Sequence, residues 1–567
     1  MRGRIWPRLF PTAIALTLLA AACGGGGEAT PETEQPAEPV ILRVGMPGSP
    51  DSQNPGNTYL TEGFDLIELV YDALVSFDFA GNYHPELAES WTTSDDGLVW
   101  TFTLREGAMF SDGTPVTAQD VAFSLLAYRD WGDFGYISGY ATHFADVQAP
   151  DERTVVLTLD APVGNLESQL LFCYILPEHI WGQFAGDVDA ALAFENAEMI
   201  GAGPFRLVEY RQGEFYRLAA IKDHYLTPPV VDEVIFQTYT NQDALVQALR
   251  AGQLDMITEM PNTVFPTLLN EAGISAVRGA SRGFRDYIFN LIAPDDCPVD
   301  DGGVCSGHPA LRDPIVRQAM AHAVDKQQVI DVAELGLGAP GLGLVPVALG
   351  DFYASELEDY AFDIALANQM LDEAGYLDTD GDGIRECPGG MDCGGRQLDI
   401  GMQIPSDIGS GPREAELLSG WWAQIGIRMT PQVLEPDTVT ANCCPAFDFD
   451  MLMWGWTSDP DPSFILSVLT SVEIPTGLSE TGYNNPEYDR LFDGQTVELD
   501  HATRVQMVHD MQRMMLEDLP YIIPYYQEEL QAFRSDRFTN WPVPAEGSGD
   551  ILYLQDPLSL TVVRPVQ

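Results

Sequence analysis

Two stretches of the 567-residue chain gather side chains that could hold something. Asp378 to Glu386 reads DTDGDGIRE. Asp378, Asp380 and Asp382 stand at loop positions 1, 3 and 5 with Gly383 at position 6, the opening of a calcium-binding loop. Hard oxygens on alternate residues converge because glycine permits the sharp turn, and Ile384 would add its carbonyl. Position 12 is Gly389 and not the bidentate Glu of an EF-hand, so Glu386 or Asp392 would have to complete a shorter loop. The pattern stands open between a structural calcium, remote from any ligand, and a solvated acidic turn. The second stretch is Asp448 to Phe464, DFDMLMWGWTSDPDPSF. Phe449, Met451 and Met453 alternate as a strand that runs into polar turn residues. A strand end that delivers Gly455, Trp456, Thr457 and Asp459 suits a cleft wall, because an indole offers a flat apolar face and a carboxylate pairs a cation. The competing reading of Asp459 is a turn cap.

Catalysis has no comparable support. There is no GxSxG elbow, no GxGxxG after a strand, no P-loop and no HExxH. With 85 acidic residues, paired carboxylates are inevitable and carry no information. His84, His308 and His322 fall in loop or amphipathic-helix contexts, which suits solvated or packed histidines. Of eight cysteines, Cys297 and Cys305 bracket one short segment and Cys387 and Cys393 another; either pair could close a small loop in an oxidising compartment. Cys443 and Cys444 are adjacent, open between a vicinal bridge and two thiols. Cys173, within LLFCYIL, reads as a small buried hydrophobe. The spacings lack the two CxxC pairs of a zinc site.

Arg2, Arg4 and Arg8 precede the short apolar run Ala13–Ala22, too short to span a bilayer, and Cys23 follows at once. The segment resembles a bacterial lipoprotein signal, with Ala20 where leucine is usual: 1–22 as signal, Cys23 as the lipidated residue and 23–39 as a Gly-, Glu- and Pro-rich tether. The remainder exceeds what one core usually supports, so two or more domains are expected. A hydrophobic content of 45% with 10 Trp, 21 Tyr and 26 Phe describes a packed protein. The net charge of -57, with Lys222 and Lys326 as the only lysines, speaks against nucleic acid. The acids are spread along the chain, which favours a solvated acidic surface over a cation-collecting cleft.

One block is more informative than any other. Pro85 to Ser124 reads PELAESWTTSDDGLVWTFTLREGAMFSDGTPVTAQDVAFS. Leu98, Trp100, Phe102 and Leu104 fall at strand period, Asp112 to Pro115 forms a turn, and Thr117 with Asp120 caps a helix from about Ala118. The whole ordered string resembles the signature of the family 5 solute-binding proteins of ABC importers, the oligopeptide, dipeptide and nickel binders. IGAGPFRLVEY (200–210), VDEVIFQTYTNQDALVQALRAGQLD (231–255), ALRDPIVRQAMAHAVDKQQVI (310–330, read as one amphipathic helix), GYNNPEYDRL (482–491) and PYIIPYY (520–526) extend the resemblance over nearly all of the chain after the tether.

The resemblance implies an α/β fold, a periplasmic-binding-protein-like two-lobed clamp of three domains of the peptide-binding type. Domain I would combine 40–72, 202–285 and 523–567, domain II would span 73–201, and domain III 286–522. It also implies that Asp459 pairs with a peptide's α-ammonium, that Asn54 faces the cleft from the first domain, and that Tyr287, Asn290 and Tyr526 mark the crossings between lobes. Trp91 and Trp100 read as core. The function so implied is that of a lipid-anchored, extracytoplasmic and monomeric binder delivering di- or oligopeptides to a permease and ATPase, with no cofactor required. The alternatives are a nickel chelate, an oligosaccharide or another small solute as ligand, a ligand-presenting receptor, or a lipoprotein hydrolase.

Overall fold

Val99–Leu104 alternates half-buried and buried residues along its length, with Trp100, Phe102 and Leu104 turned inward, as a strand with one wet face requires. It pairs antiparallel with Ala88–Thr93 on one side and Thr154–Leu159 on the other. Phe144–Gln148 completes this four-stranded sheet. The turn before the next helix has Gly113 at φ 89°, and the Thr114 amide donates to Asp112 Oδ1 at 2.9 Å. Helix Ala118–Asp130 then starts where the capping pattern predicts: the Thr117 amide donates to the Asp120 carboxylate at 2.9 Å. The computed structural model describes residues 38–77, 82–132, 134–542 and 558–566. The signal segment, Cys23 and all but the last two residues of the tether lie outside the described residues.

Val75–Phe77 with Tyr83–Pro85 and Phe538–Thr539 with Arg564–Pro565 form two small two-stranded sheets, and the other described strands join an eleven-stranded mixed sheet. Its order runs Arg428–Leu434, Asp399–Pro405, Met451–Thr457, Ser275–Phe289, Tyr521–Phe533, Met256–Ile257, Ile41–Met46, Glu233–Thr238, Phe215–Ala220 and Phe205–Arg211, with Ala339–Pro340 on Tyr521–Phe533. The two long central strands, of 15 and 13 residues, run antiparallel and carry the chain from one half of this sheet to the other. Between Ala280 and Phe284 their register slips. There Ser281 Oγ donates to Glu529 at 2.6 Å and accepts the Gly283 amide at 2.8 Å, which satisfies the interrupted ladder.

Period two sorts the residues of Ser275–Phe289 between two cores. Tyr287 and Phe289 pack with Met451, Met453 and the helices Pro314–His322 and Gly411–Ala423. Phe284 and Ile288 pack on the other face with Leu452, Ile465 and Tyr521. The segment expected as one helix over 310–330 is two, Pro314–His322 and Lys326–Ala333. Asp325 caps the second, accepting the Gln328 amide at 3.0 Å, and a cap needs a non-helical residue between the helices. Cysteines pair as Cys297–Cys305, Cys387–Cys393 and Cys443–Cys444. Cys173 is a buried thiol. Among the described residues no helix is long and apolar enough to cross a membrane.

Candidate functional site

The site grows from the end of strand Met451–Thr457. Register sets Trp456 opposite Phe284, Gly455 opposite Arg285 and Thr457 opposite Gly283. The Ser458 amide still reaches Arg282 O at 3.0 Å, after which the chain turns away. Asp459 therefore leaves the sheet half-buried at a junction. Its Oδ2 accepts the hydroxyl of Tyr140, 2.6 Å away and 319 residues distant in sequence. The Tyr140 ring is stacked on Phe172 at 5.3 Å between centroids, so the hydroxyl is held by packing.

Asp461, two residues on, has a different task. It is buried, and Arg504 grips it through two nitrogens at 2.6 and 2.7 Å. Burial works against the charge, but the guanidinium wins and holds the carboxyl below its ordinary range. Asn165 also donates to Asp461 at 3.2 Å, and the Gly164 amide donates to Thr496 O at 2.7 Å. The segment 140–165 thus meets 459–496 directly at several points.

The strand end that precedes Asp459, Trp454 to Thr457, lines a cavity of about 280 Å³ together with Phe284, Arg285, Pro405, Asp407, Ile408, Pro436 and Gln527. Trp456 is anchored at its back, its indole N–H donating to Glu480 at 2.9 Å, and meets Phe464 edge-on. Arg285 is neutralised within the wall: it donates to Trp454 O at 2.7 Å and stands 3.7 Å from Glu414. On the far side of the bulge, Glu68 of helix Thr61–Val70 accepts the Tyr174 hydroxyl at 2.9 Å. Burial pushes its carboxyl up to about 8, against the Tyr174 hydrogen bond and the Arg282 charge. The arrangement can bind, through flat apolar faces and placed carboxylates. Among the described residues it holds no nucleophile–base pair.

Gly455, Trp456, Thr457 and Asp459 come together as the strand pattern predicts. Asn54, expected from a first-domain loop, and Tyr287, Asn290 and Tyr526, expected from the lobe crossings, do not join them; each is buried with its polar atoms spent inside the protein. Asn54 caps the turn Pro55–Asn57, accepting the Gly56 amide at 2.9 Å and donating to Ala191 O and Phe194 O at 2.8 Å. Tyr287 donates to Glu414 at 2.8 Å. Asn290 donates to Phe447 O and Phe449 O at 2.9 and 2.7 Å. The Tyr526 hydroxyl donates to Gly343 O and accepts the Gly343 amide, both at 3.0 Å. Tyr287 and Tyr526 lie on strands central to the sheet, which bury both faces, while Asn54 caps a buried turn and Asn290 follows a strand end; each buried polar group finds its partner within the chain. Tyr140, which holds Asp459, and Glu480, which holds Trp456, are contacts of the candidate site that sequence reasoning missed, and neither sits in a recognisable motif.

The acidic loop stands apart. One carboxylate oxygen from each of Asp378, Asp380, Asp382 and Glu386 lies within 4.8 Å of the others. Backbone amides satisfy part of this charge: Gly381 and Gly383 donate to Asp378, and Ile384 donates to Asp382. Glu386 accepts from Thr379 through both its amide and its hydroxyl, at 2.8 and 2.9 Å. The donor set is all hard oxygen, which fits calcium and not a soft-metal site.

Comparison with known proteins gives the context. Residues 82–474 match the model for "Bacterial extracellular solute-binding proteins, family 5 Middle". The chain is 26% identical over 528 residues to the oligopeptide-binding protein AppA of Bacillus subtilis, covering 90% of this chain and 92% of that protein. In fold it is similar to the ABC transporter substrate-binding protein CtaP of Listeria monocytogenes, with a TM-score of 0.77 at 21% identity over 93% of this chain and 99% of that one. It is also similar to NikZ of Campylobacter jejuni in complex with Ni(L-His), with a TM-score of 0.74 at 20% identity over 92% and 99% of the two chains.

Proposed function

The chain belongs to the bacterial extracellular solute-binding proteins of family 5, and we propose that it captures a di- or oligopeptide outside the cytoplasm and delivers it to the permease and ATPase of an ABC importer. Asp459 carries this reading. It is a half-buried carboxylate just past the strand end that lines the Trp456 cavity, where segments far apart in sequence meet. A carboxylate so placed orients an ammonium group and penalises ligands that lack one, since it would lose its charged partner. Two halves joined by the long central strands close over the solute, and the closed form is the one the permease recognises. The ligand's backbone pairs along the exposed strand end, with its side chains in roomy pockets. The relative named for oligopeptide binding supports the peptide class. The acid-free basic start of the chain supports a lipid anchor at Cys23.

Asp459→Ala tests the reading. Affinity for a short peptide, measured by calorimetric titration, should fall about 10-fold or more. A second reading rests on Tyr140, whose hydroxyl already occupies Asp459. A carboxylate with that partner needs no ligand ammonium, which suits a non-peptide solute such as a metal chelate or a sugar. On that reading Asp459→Ala leaves affinity unchanged, and mass spectrometry of the native protein identifies the solute that copurifies. For the loop at 378–386 we propose a structural calcium. Calcium should then raise the melting temperature of the protein and not that of Asp380→Asn.

A further inference from the structure

Strand Ser275–Phe289 carries an acid where its period asks for an apolar side chain. Phe284 and Ile288 bury on one face, and Asp286 lies between them on that same face. Its exposure is 0%, and neither carboxyl oxygen makes a well-formed hydrogen bond among the described residues, the backbone of Trp454 across the ladder interacting with it only weakly. An ionised carboxylate in that position is strongly unfavourable, whereas a protonated one needs only an acceptor. Glu480, itself 4% exposed, sits against the same stretch: its two donors, Trp456 and Tyr521, pair in register with Phe284 and Ile288, the residues that flank Asp286 on that face. Glu480 Oε2 accepts two hydrogen bonds, from the Trp456 indole at 2.9 Å and from the Tyr521 hydroxyl at 3.1 Å. A carboxylate receiving those donors is suited to accept a third from a carboxylic acid.

We propose that Asp286 keeps its proton and donates it to Glu480, and that this shared proton seats the Trp456 indole in the wall of the cleft. Asp286 is therefore a positioning residue that acts through Glu480. If the proton is lost, two like charges face each other in the core, Glu480 turns away, and Trp456 loses its acceptor.

The titratable surroundings fit this arrangement. Arg285, next in the strand, turns to the opposite face toward Glu414 and Tyr525. Tyr521 faces both acids from strand Tyr521–Phe533, with Tyr488 behind it. Burial drives the Asp286 carboxyl well above its ordinary range, the Glu480 charge adds to this, and Arg285 opposes it. Burial pushes Glu480 up to about 7, against the hydrogen bonds from Trp456 and Tyr521. Glu480 is thus the group that ionises first, and Asp286 the one that holds its proton.

That Trp456 borders a ligand rests on the reading above, but the shared proton does not, and both measurements below use protein without added solute. In mildly alkaline buffer the infrared difference between the whole wild-type protein and Asp286→Asn should contain the carbonyl stretch of a protonated carboxylic acid, since the subtraction cancels Glu68, which burial also raises to about 8. The Trp456 emission, obtained as the difference from Trp456→Phe, should move to longer wavelength as pH rises in the wild type and stay put in Asp286→Asn. Asparagine keeps the shape and a donor toward Glu480. A difference spectrum without that band, or an emission shift common to both proteins, overturns the proposal. Should Asp286→Asn fail to fold, Glu480→Gln replaces it: the band must move when its acceptor becomes an amide, and an unmoved band is equally fatal.

Discussion

At Glu68 one buried carboxyl makes a pH-dependent contribution to stability, and its sign follows from its surroundings. The side chain is buried on helix Thr61–Val70, one oxygen held by Tyr174 and the other without a partner among the described residues. Burial raises its carboxyl from 4.5 to about 8, so the folded protein binds this proton more tightly than the unfolded chain does. The stability it confers is complete below about pH 4.5 and disappears as pH climbs through about 8. Asp461, held low by Arg504, works in the opposite sense: its contribution exists at neutral pH and is lost on acidification. Replacing Glu68 by Gln keeps the shape and removes the titration. Across that window the wild type should lose about 3–5 kcal/mol that Glu68→Gln does not, read from urea unfolding at a series of pH values. Parallel curves for the two proteins would show that Glu68 stays ionised and solvated. The comparison of Asp459 with Asp461 teaches the same lesson. Two aspartates of one SDPD turn differ because one meets Arg504 in the core and the other meets Tyr140 at a junction.

The element that shapes the site is the strand pair Ser275–Phe289 and Met451–Thr457, and its weakest tolerance is at Gly455. A Cβ there would lie 2.6 Å from Phe284 O, a backbone atom in the paired strand. Gly455→Ala must therefore push the two strands apart beside Trp456. The expected cost is about 1–3 kcal/mol, seen as a lower denaturant midpoint, with loss of the cavity wall. An unchanged midpoint would show that the strand end yields freely. Much at this scale was legible in the sequence. The Val99–Leu104 alternation, the Thr117–Asp120 cap, the strand ending at Thr457 and the helix Gln242–Arg250 all follow from local periodicity and capping chemistry. The break at Ala323 was not, because an Asp in an amphipathic run reads as a wet helix face unless its cap geometry is seen. Asn54, Tyr287, Asn290 and Tyr526 show the other limit. Sequence places a polar residue at a crossing but cannot tell whether it faces a cleft or a neighbouring carbonyl, since both choices satisfy its hydrogen bonds. Tyr140 and Glu68 were invisible for a related reason: their partners stand 319 and 106 residues away.

For the whole molecule, what matters is how segment 140–165 meets segment 459–499. The contacts are few and mostly polar: Tyr140 on Asp459, Asn165 on Asp461, and the Gly164 amide on Thr496 O. Polar contacts of this kind can be exchanged for contacts with water at small net cost when the segments part. The net charge of -57 works in the same direction, since like charges on two bodies favour their separation unless salt screens them. Closure then depends on the fit at each contact, and Gly164 is the tightest. A Cβ on it would lie 2.4 Å from Glu498 O and 3.0 Å from Gln495 O, backbone atoms of the facing body that a side chain cannot displace. Gly164→Val should leave each body folded, because the obstruction lies between the bodies and not inside a core. It should hold them apart, so the radius of gyration from solution scattering exceeds that of the wild type while the melting temperature stays within a few degrees. If the two proteins scatter alike, the segments remain together without this contact, and the docking of Gly164 against Thr496 is not what closes the clamp.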